Sequence, residues 1–240
     1  MKKLLMFLLT LICCISLIGC GADPKKEAER LDKEYYQPGI SLFQQLNNDV
    51  DSIGNQFQDK RFDEGITKLI TENYKPKFVD MQNKFKNEKD IEDTKLMREQ
   101  ISYLLDDVIS LLDAGLEVAK LPANASKDEA LPYFNKIHLL LNNLVSEQAE
   151  YQNQYSLLTK GKSSYELTLR NFQQIQKGDS YAKVVQTFKM PGKLTNSEES
   201  NIRLIGHRKL EHYVWETNDG YVRIMFENGK AYMIEQKGLK

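Results

Sequence analysis

Cysteine is nearly missing from this chain: three occur in 240 residues, at positions 13, 14 and 20. Beyond residue 20 no thiol remains to close a disulfide, complete a zinc site or act as a nucleophile. Histidine is as scarce, at His138, His207 and His212. The last two are five positions apart at the start of a strand-like run, an odd offset that puts them on opposite faces and makes them poor joint metal ligands. No excess of one charge exists either, with 33 basic and 34 acidic residues and a net charge of -1, or -3 without Lys2 and Lys3. Such a balance excludes the basic face of a nucleic-acid binder. Glycine-rich phosphate loops, zinc spacings and nucleophile elbows are missing. Adjacent carboxylates such as Asp106 with Asp107 and Asp128 with Glu129 point to different helix faces and read as solvated surface, so no catalytic residue is expected.

What is there begins at the N-terminus. Met1, Lys2 and Lys3 precede an apolar run from Leu4 to Ile18 and a small residue, Gly19, before Cys20. That is the layout of an export signal, and the run is shorter than the about 20 apolar residues of a membrane span. Leu17-Ile18-Gly19-Cys20 resembles the bacterial lipobox. The resemblance implies cleavage between Gly19 and Cys20 and a diacylglyceryl group on Cys20, with no other cofactor. Each buried methylene of such a group contributes roughly 0.8 kcal/mol, and two chains hold a protein on a bilayer where one is marginal. Residues 1–19 are then a signal peptide and residues 20–26 a lipidated tether on the extracytoplasmic face of the cell membrane, with membrane lipid as the first partner.

Residues 27–160 carry helical periodicity. A break is expected at Pro38-Gly39. Beyond it Phe43, Leu46, Val50, Ile53 and Phe57 form one apolar stripe. A second helix is expected over 62–89 with a kink at Pro76, and a third over 93–120, the most apolar. Ser126 and Glu129 have the spacing of a capping box. After them Phe134, Ile137, Leu141, Leu144, Gln148, Tyr151, Tyr155 and Leu158 keep a heptad, with Gln148 its one polar member. Four helices joined by short turns make an antiparallel bundle.

At Lys160 to Ser164 the pattern changes, Gly161 ending one helix and Ser163 with Glu166 capping the next. Residues 165–176 and 180–188 read as helices. Then the period becomes alternating: Leu210, His212, Val214 and Glu216 share one strand face, and Glu211, Tyr213 and Trp215 the other. Strands follow over 221–227 and 230–236, separated by Asn218-Asp219-Gly220 and by Asn228-Gly229, a strong hairpin signal. A further strand is expected at 202–206. The fold class is therefore α+β in two domains: an antiparallel helical bundle, then two helices on a sheet of three or four antiparallel strands over 165–240.

Phe172, Ile175, Gly178, Val184, Phe188, Pro191 and Gly192, with Tyr213-Val214-Trp215, Val222, Ile224, Phe226 and Asn228-Gly229-Lys230, resemble the small domain of the outer-membrane assembly lipoprotein family BamE (SmpA/OmlA). The layout is similar to the repeats of the beta-lactamase inhibitory protein. A helical half precedes the module here that BamE lacks. The resemblance implies a domain that presents a sheet face or loops to another protein and performs no catalysis. Tyr213, Trp215, Asn218, Asp219, Tyr221 and Asn228 are the interface candidates; Trp215 and Tyr213 fit an exposed anchor or a core beneath the helices, and in a small domain the core is the favoured of the two. The expected function is a protein-binding or scaffolding module of the cell envelope. Recognition of cell wall by a groove of the bundle and inhibition of an envelope hydrolase are the alternatives.

Overall fold

A computed structural model describes residues 23–56, 60–88, 91–122, 125–202 and 206–240. Gly19, Cys20 and Phe57 lie outside the described residues. Asp23 opens helix α1 (Pro24–Leu31): its carboxylate accepts a hydrogen bond from the Lys25 amide at 3.0 Å, and Pro24 supplies a first position that needs no amide proton. α1 runs through a π-helical turn, Asp32–Tyr36, into α2 (Gln37–Gln56).

The expected break at Pro38-Gly39 does not occur. A π turn widens the helix by one residue and leaves a carbonyl without its usual donor, and the proline that lacks a donor falls just after it. The second hairpin arm repeats the device. Helix α3 (Lys60–Lys68) passes through a π turn, Leu69–Tyr74, into α4 (Lys75–Lys86), whose second residue is Pro76. α5 (Lys95–Ala119) follows a short 3₁₀ turn and buries Met97, Ile101, Leu105, Val108 and Leu112 between its neighbours.

The Ser126–Glu129 capping box forms, with the Glu129 amide 3.2 Å from the Ser126 hydroxyl and the Ser126 amide 2.7 Å from the Glu129 carboxylate. It starts α6 (Lys127–Lys160), which spans about 51 Å at 1.5 Å per residue and stops at Gly161 in the left-handed region, φ 67°. α6 serves two cores. Leu144 and Tyr151 enter the bundle, while Val145 and Ala149 enter the core of the C-terminal part. Its heptad is only partly buried, Phe134 being 55% and Leu141 42% exposed.

A buried ionic cluster ties the start of the bundle together. Arg98 on α5 is 5% exposed and lies 3.5 Å from Glu27 of α1 and 3.7 Å from Glu88. Arg30 bridges the same two carboxylates, and the Tyr35 hydroxyl donates to Glu88.

Beyond Gly161 the chain is not the expected helix. Ser163 donates to Asn153 at 2.7 Å instead of capping, the Glu166 amide donates to the Phe188 carbonyl at 2.7 Å, and the Leu169 amide donates to the Lys240 carbonyl at 3.0 Å. These bonds hold the segment extended, leaving only α7 (Leu169–Phe172), capped by Thr168. α8 (Tyr181–Phe188) is capped by Ser180. Four antiparallel strands complete the fold in simple order: β1 (Lys193–Ile202), β2 (Gly206–Glu216), β3 (Tyr221–Glu227) and β4 (Lys230–Lys237). The strand expected at 202–206 falls on residues 203–205, which lie outside the described residues; β1 ends at Ile202 and β2 begins at Gly206. The sheet's inner face sets Trp215, Val222, Ile224 and Phe226 against Tyr181, Val184, Val185 and Phe188 of α8. Among the described residues no helix is long and apolar enough to cross a membrane.

Candidate functional site: the open face of the C-terminal sheet

Alternation decides which side chains this sheet leaves on its open face. Register pairs Val214 with Arg223 and Arg223 with Glu235 in one cross-strand row, and His212 with Met225 and Met225 with Met233 in the next. A third row joins Glu216, Tyr221 and Lys237. All three rows stand opposite the face that packs on α8. Thr195 of β1 closes the side of a shallow depression with His212, Val214, Arg223, Met225, Met233 and Glu235 as its lining.

The depression has an apolar floor and a charged rim. Met233 is 54% exposed, and thioether side chains adapt to varied partners. The Arg223 guanidinium lies 4.4 Å from the Tyr221 ring centroid, and the Tyr221 hydroxyl donates to Glu235 at 3.1 Å, so the rim charges are held in place. The Thr195 hydroxyl donates to the His212 carbonyl at 3.0 Å. The lining thus sets one imidazole and two thioethers beside the Arg223 and Glu235 charges. Among the described residues no group of three or more histidines, cysteines or acids could hold a metal ion.

The sequence candidates divide between the two faces. Trp215 and Tyr213 are 0% and 8% exposed and belong to the inner core, which removes them as interface anchors. The reason is geometric: the large aromatics fill the space under α8, with the Trp215 Nε1 donating to the Met190 carbonyl at 2.9 Å. Burial, and secondarily the charge of Glu211, pushes the Tyr213 hydroxyl above its ordinary pKa. Tyr221 stands on the open face, and Asn218 and Asp219 are exposed on the β2–β3 turn beside it. Asn228 lies at the other end of β3, about 20 Å away at 3.3 Å per residue. Its side chain accepts from the Lys209 amide at 2.8 Å, and the following Gly229 leans on His138 of α6, so this turn serves the junction with the bundle.

Arg223, Met225, Met233 and Glu235 are not marked by any sequence feature, and the sequence places His212 and Val214 on one strand face without assigning them to an interface. The signal was present in the alternation of β2, where the face opposite Tyr213 and Trp215 is the one left open. Comparison with known proteins leaves the site unassigned, since no family model, no curated protein and no solved structure matches the chain.

Proposed function

We propose that this chain is a lipid-anchored envelope protein that binds another protein through the open face of its C-terminal sheet and performs no chemistry. The lipobox-like Leu17 to Cys20 supports the anchor. The observation that carries the binding role is the pairing of a fully packed inner face with an outer face where Val214, Met225 and Met233 lie beside the cross-strand neighbours Arg223 and Glu235. The resemblance to BamE-like and inhibitor-like domains points to the same mode of use.

Size sets the strength expected. Four strands about 4.8 Å apart and about 23 Å long offer on the order of 400 Å². A standard interface takes about 800 Å² from each partner. The face alone therefore suits a transient contact, and a stable one would recruit the Asn218-Asp219 turn as well. Strand addition at β1 is disfavoured by its bulge after Leu194 and by Glu198 and Glu199 on the edge.

The test is cross-linking in intact cells. The natural chain should capture a protein, and M233E with R223E should lose that capture while thermal unfolding stays unchanged. Cys20→Ser should move the protein out of the membrane fraction. Capture that survives the face variants, or sedimentation with purified wall that needs only the bundle, would overturn the proposal.

A further inference from the structure

The bundle contains a half-open apolar cavity of about 140 Å³ between α2 and the α5–α6 pair. Phe78 and Leu105 form its floor, Gly39 and Phe43 one wall, and Leu141 its exposed mouth. The space exists for identifiable reasons. Gly39 presents no side chain, and a Cβ added there would meet only Met81, at 3.7 Å. Across from it the α6 heptad is interrupted by Gln148, which cannot close the gap as a leucine would.

Two polar groups stand at the inner wall. Tyr36 is 7% exposed, and its ring stacks on Tyr151 with centroids 3.7 Å apart. The side chains of Gln148 and Gln152 interact with its hydroxyl, yet no group stands in good hydrogen-bonding geometry to that buried oxygen. Leaving a buried hydroxyl short of a partner is costly, and in native proteins it asks for an explanation. Tyr36 and Gln148 both line the cavity, so a guest could supply what the hydroxyl lacks.

We infer that this cavity binds a small monocyclic molecule with one hydrogen-bonding tip, of the phenol class, its ring against Phe78 and Leu105 and its hydroxyl at Tyr36 and Gln148. The size argument comes from volume. An apolar cavity of about 150 Å³ stays dry and accepts benzene, so one ring fits and two do not. The single polar end fixes orientation, as a few placed polar groups do in mostly apolar pockets. A long acyl chain is excluded as the main guest, because the space holds about six carbons and a bilayer would bury the whole chain. The inference is independent of the sheet face: one site can fail without the other.

The probes are phenol, benzene and cyclohexanol, titrated by calorimetry and saturation-transfer NMR into the full chain held in lipid nanodiscs. We expect saturable phenol binding about fivefold tighter than benzene, the equivalent of one neutral hydrogen bond of about 1 kcal/mol. Y36F combined with Q148L should bring phenol and benzene to equal affinity, and L141W should abolish both by filling the mouth. Should L141W fail to fold, L104W at the partly buried rim takes its place. No saturable binding, binding that the tryptophan variant leaves intact, a phenol preference that persists when both Tyr36 and Gln148 are replaced, or cyclohexanol binding tighter than phenol would each overturn the inference.

Discussion

Glu147 offers the sharpest test of the bundle's electrostatics. Its carboxyl faces Asp107 across the α5–α6 seam, with Asp106 next to it, and burial first, then those two charges, push its pKa up from 4.5 to about 8. When protonated it donates to Asp107, whose Oδ2 is otherwise buried without a partner, as is the Glu147 Oε2. Asp107 is thus not the solvated surface group that sequence reading suggests, whereas Asp106 is engaged by Gln82 and lies 3.9 Å from Lys86. The sign follows from proton counting. Between 4.5 and 8 the folded chain holds a proton that the unfolded chain has released, so stability is complete below 4.5 and falls as pH rises toward 8. At full effect the difference is several kcal/mol, but Glu147 keeps contact with solvent, and screening brings the expectation to about 2 kcal/mol. Glu88 bounds the profile on the acid side. Hydrogen bonds from Arg30, and then from Tyr35, hold it at about 2, so its contribution is present above 4.5 and lost as pH falls toward 2. Urea titrations followed by helical circular dichroism should place maximal stability near pH 4.5. Glu147→Gln should be about 2 kcal/mol more stable than the natural chain at pH 9 and equal to it at pH 4.5, with the acid limb unchanged. Parallel alkaline limbs for the two proteins would refute the reasoning.

Two glycines carry further expectations. A Cβ on Gly192 would sit 2.5 Å from Trp215 Cζ2, so Gly192→Ala should cost about 1–3 kcal/mol by overpacking and shift the emission of the chain's single tryptophan to the red. At Gly229, with φ 77° and His138 Cε1 only 3.0 Å from an added Cβ, alanine should cost about 1 kcal/mol or more. Thermal unfolding checks it, and an unchanged midpoint would show that the hairpin does not lean on α6.

Much of the fold was legible because the strongest local signals are also the ones tertiary packing respects. The Ser126–Glu129 box, the Asn228-Gly229 turn and the alternation of β2 each specify one backbone geometry with few competitors. The failures come from bonding that single-residue propensities do not encode. Local rules predict a break at Pro38 and a kink at Pro76, yet each proline is preceded by a π turn that no propensity announces. Residues 165–176 have helical periodicity, but the amides of Glu166 and Leu169 find carbonyls at Phe188 and Lys240, and those pairings decide the backbone.

The site was half legible, and the missing half is instructive. Aromatic residues are attractive as interface anchors, so Tyr213 and Trp215 drew attention on β2. In a domain this small the same bulk is needed to fill the space under α8, and a strand cannot serve both faces with one side chain. Once Trp215 is placed inside, Val214 must point outward, and pairing carries the choice across to Arg223, Glu235, Met225 and Met233. None of these residues is conspicuous in the sequence, and the protein-binding role proposed for this face would not make them so, since such faces are about as polar as ordinary surface. The cavity escaped for the opposite reason. Gly39 and Gln148 read separately as a helix breaker and a polar interruption of a heptad, and only packing brings the two defects together at Tyr36.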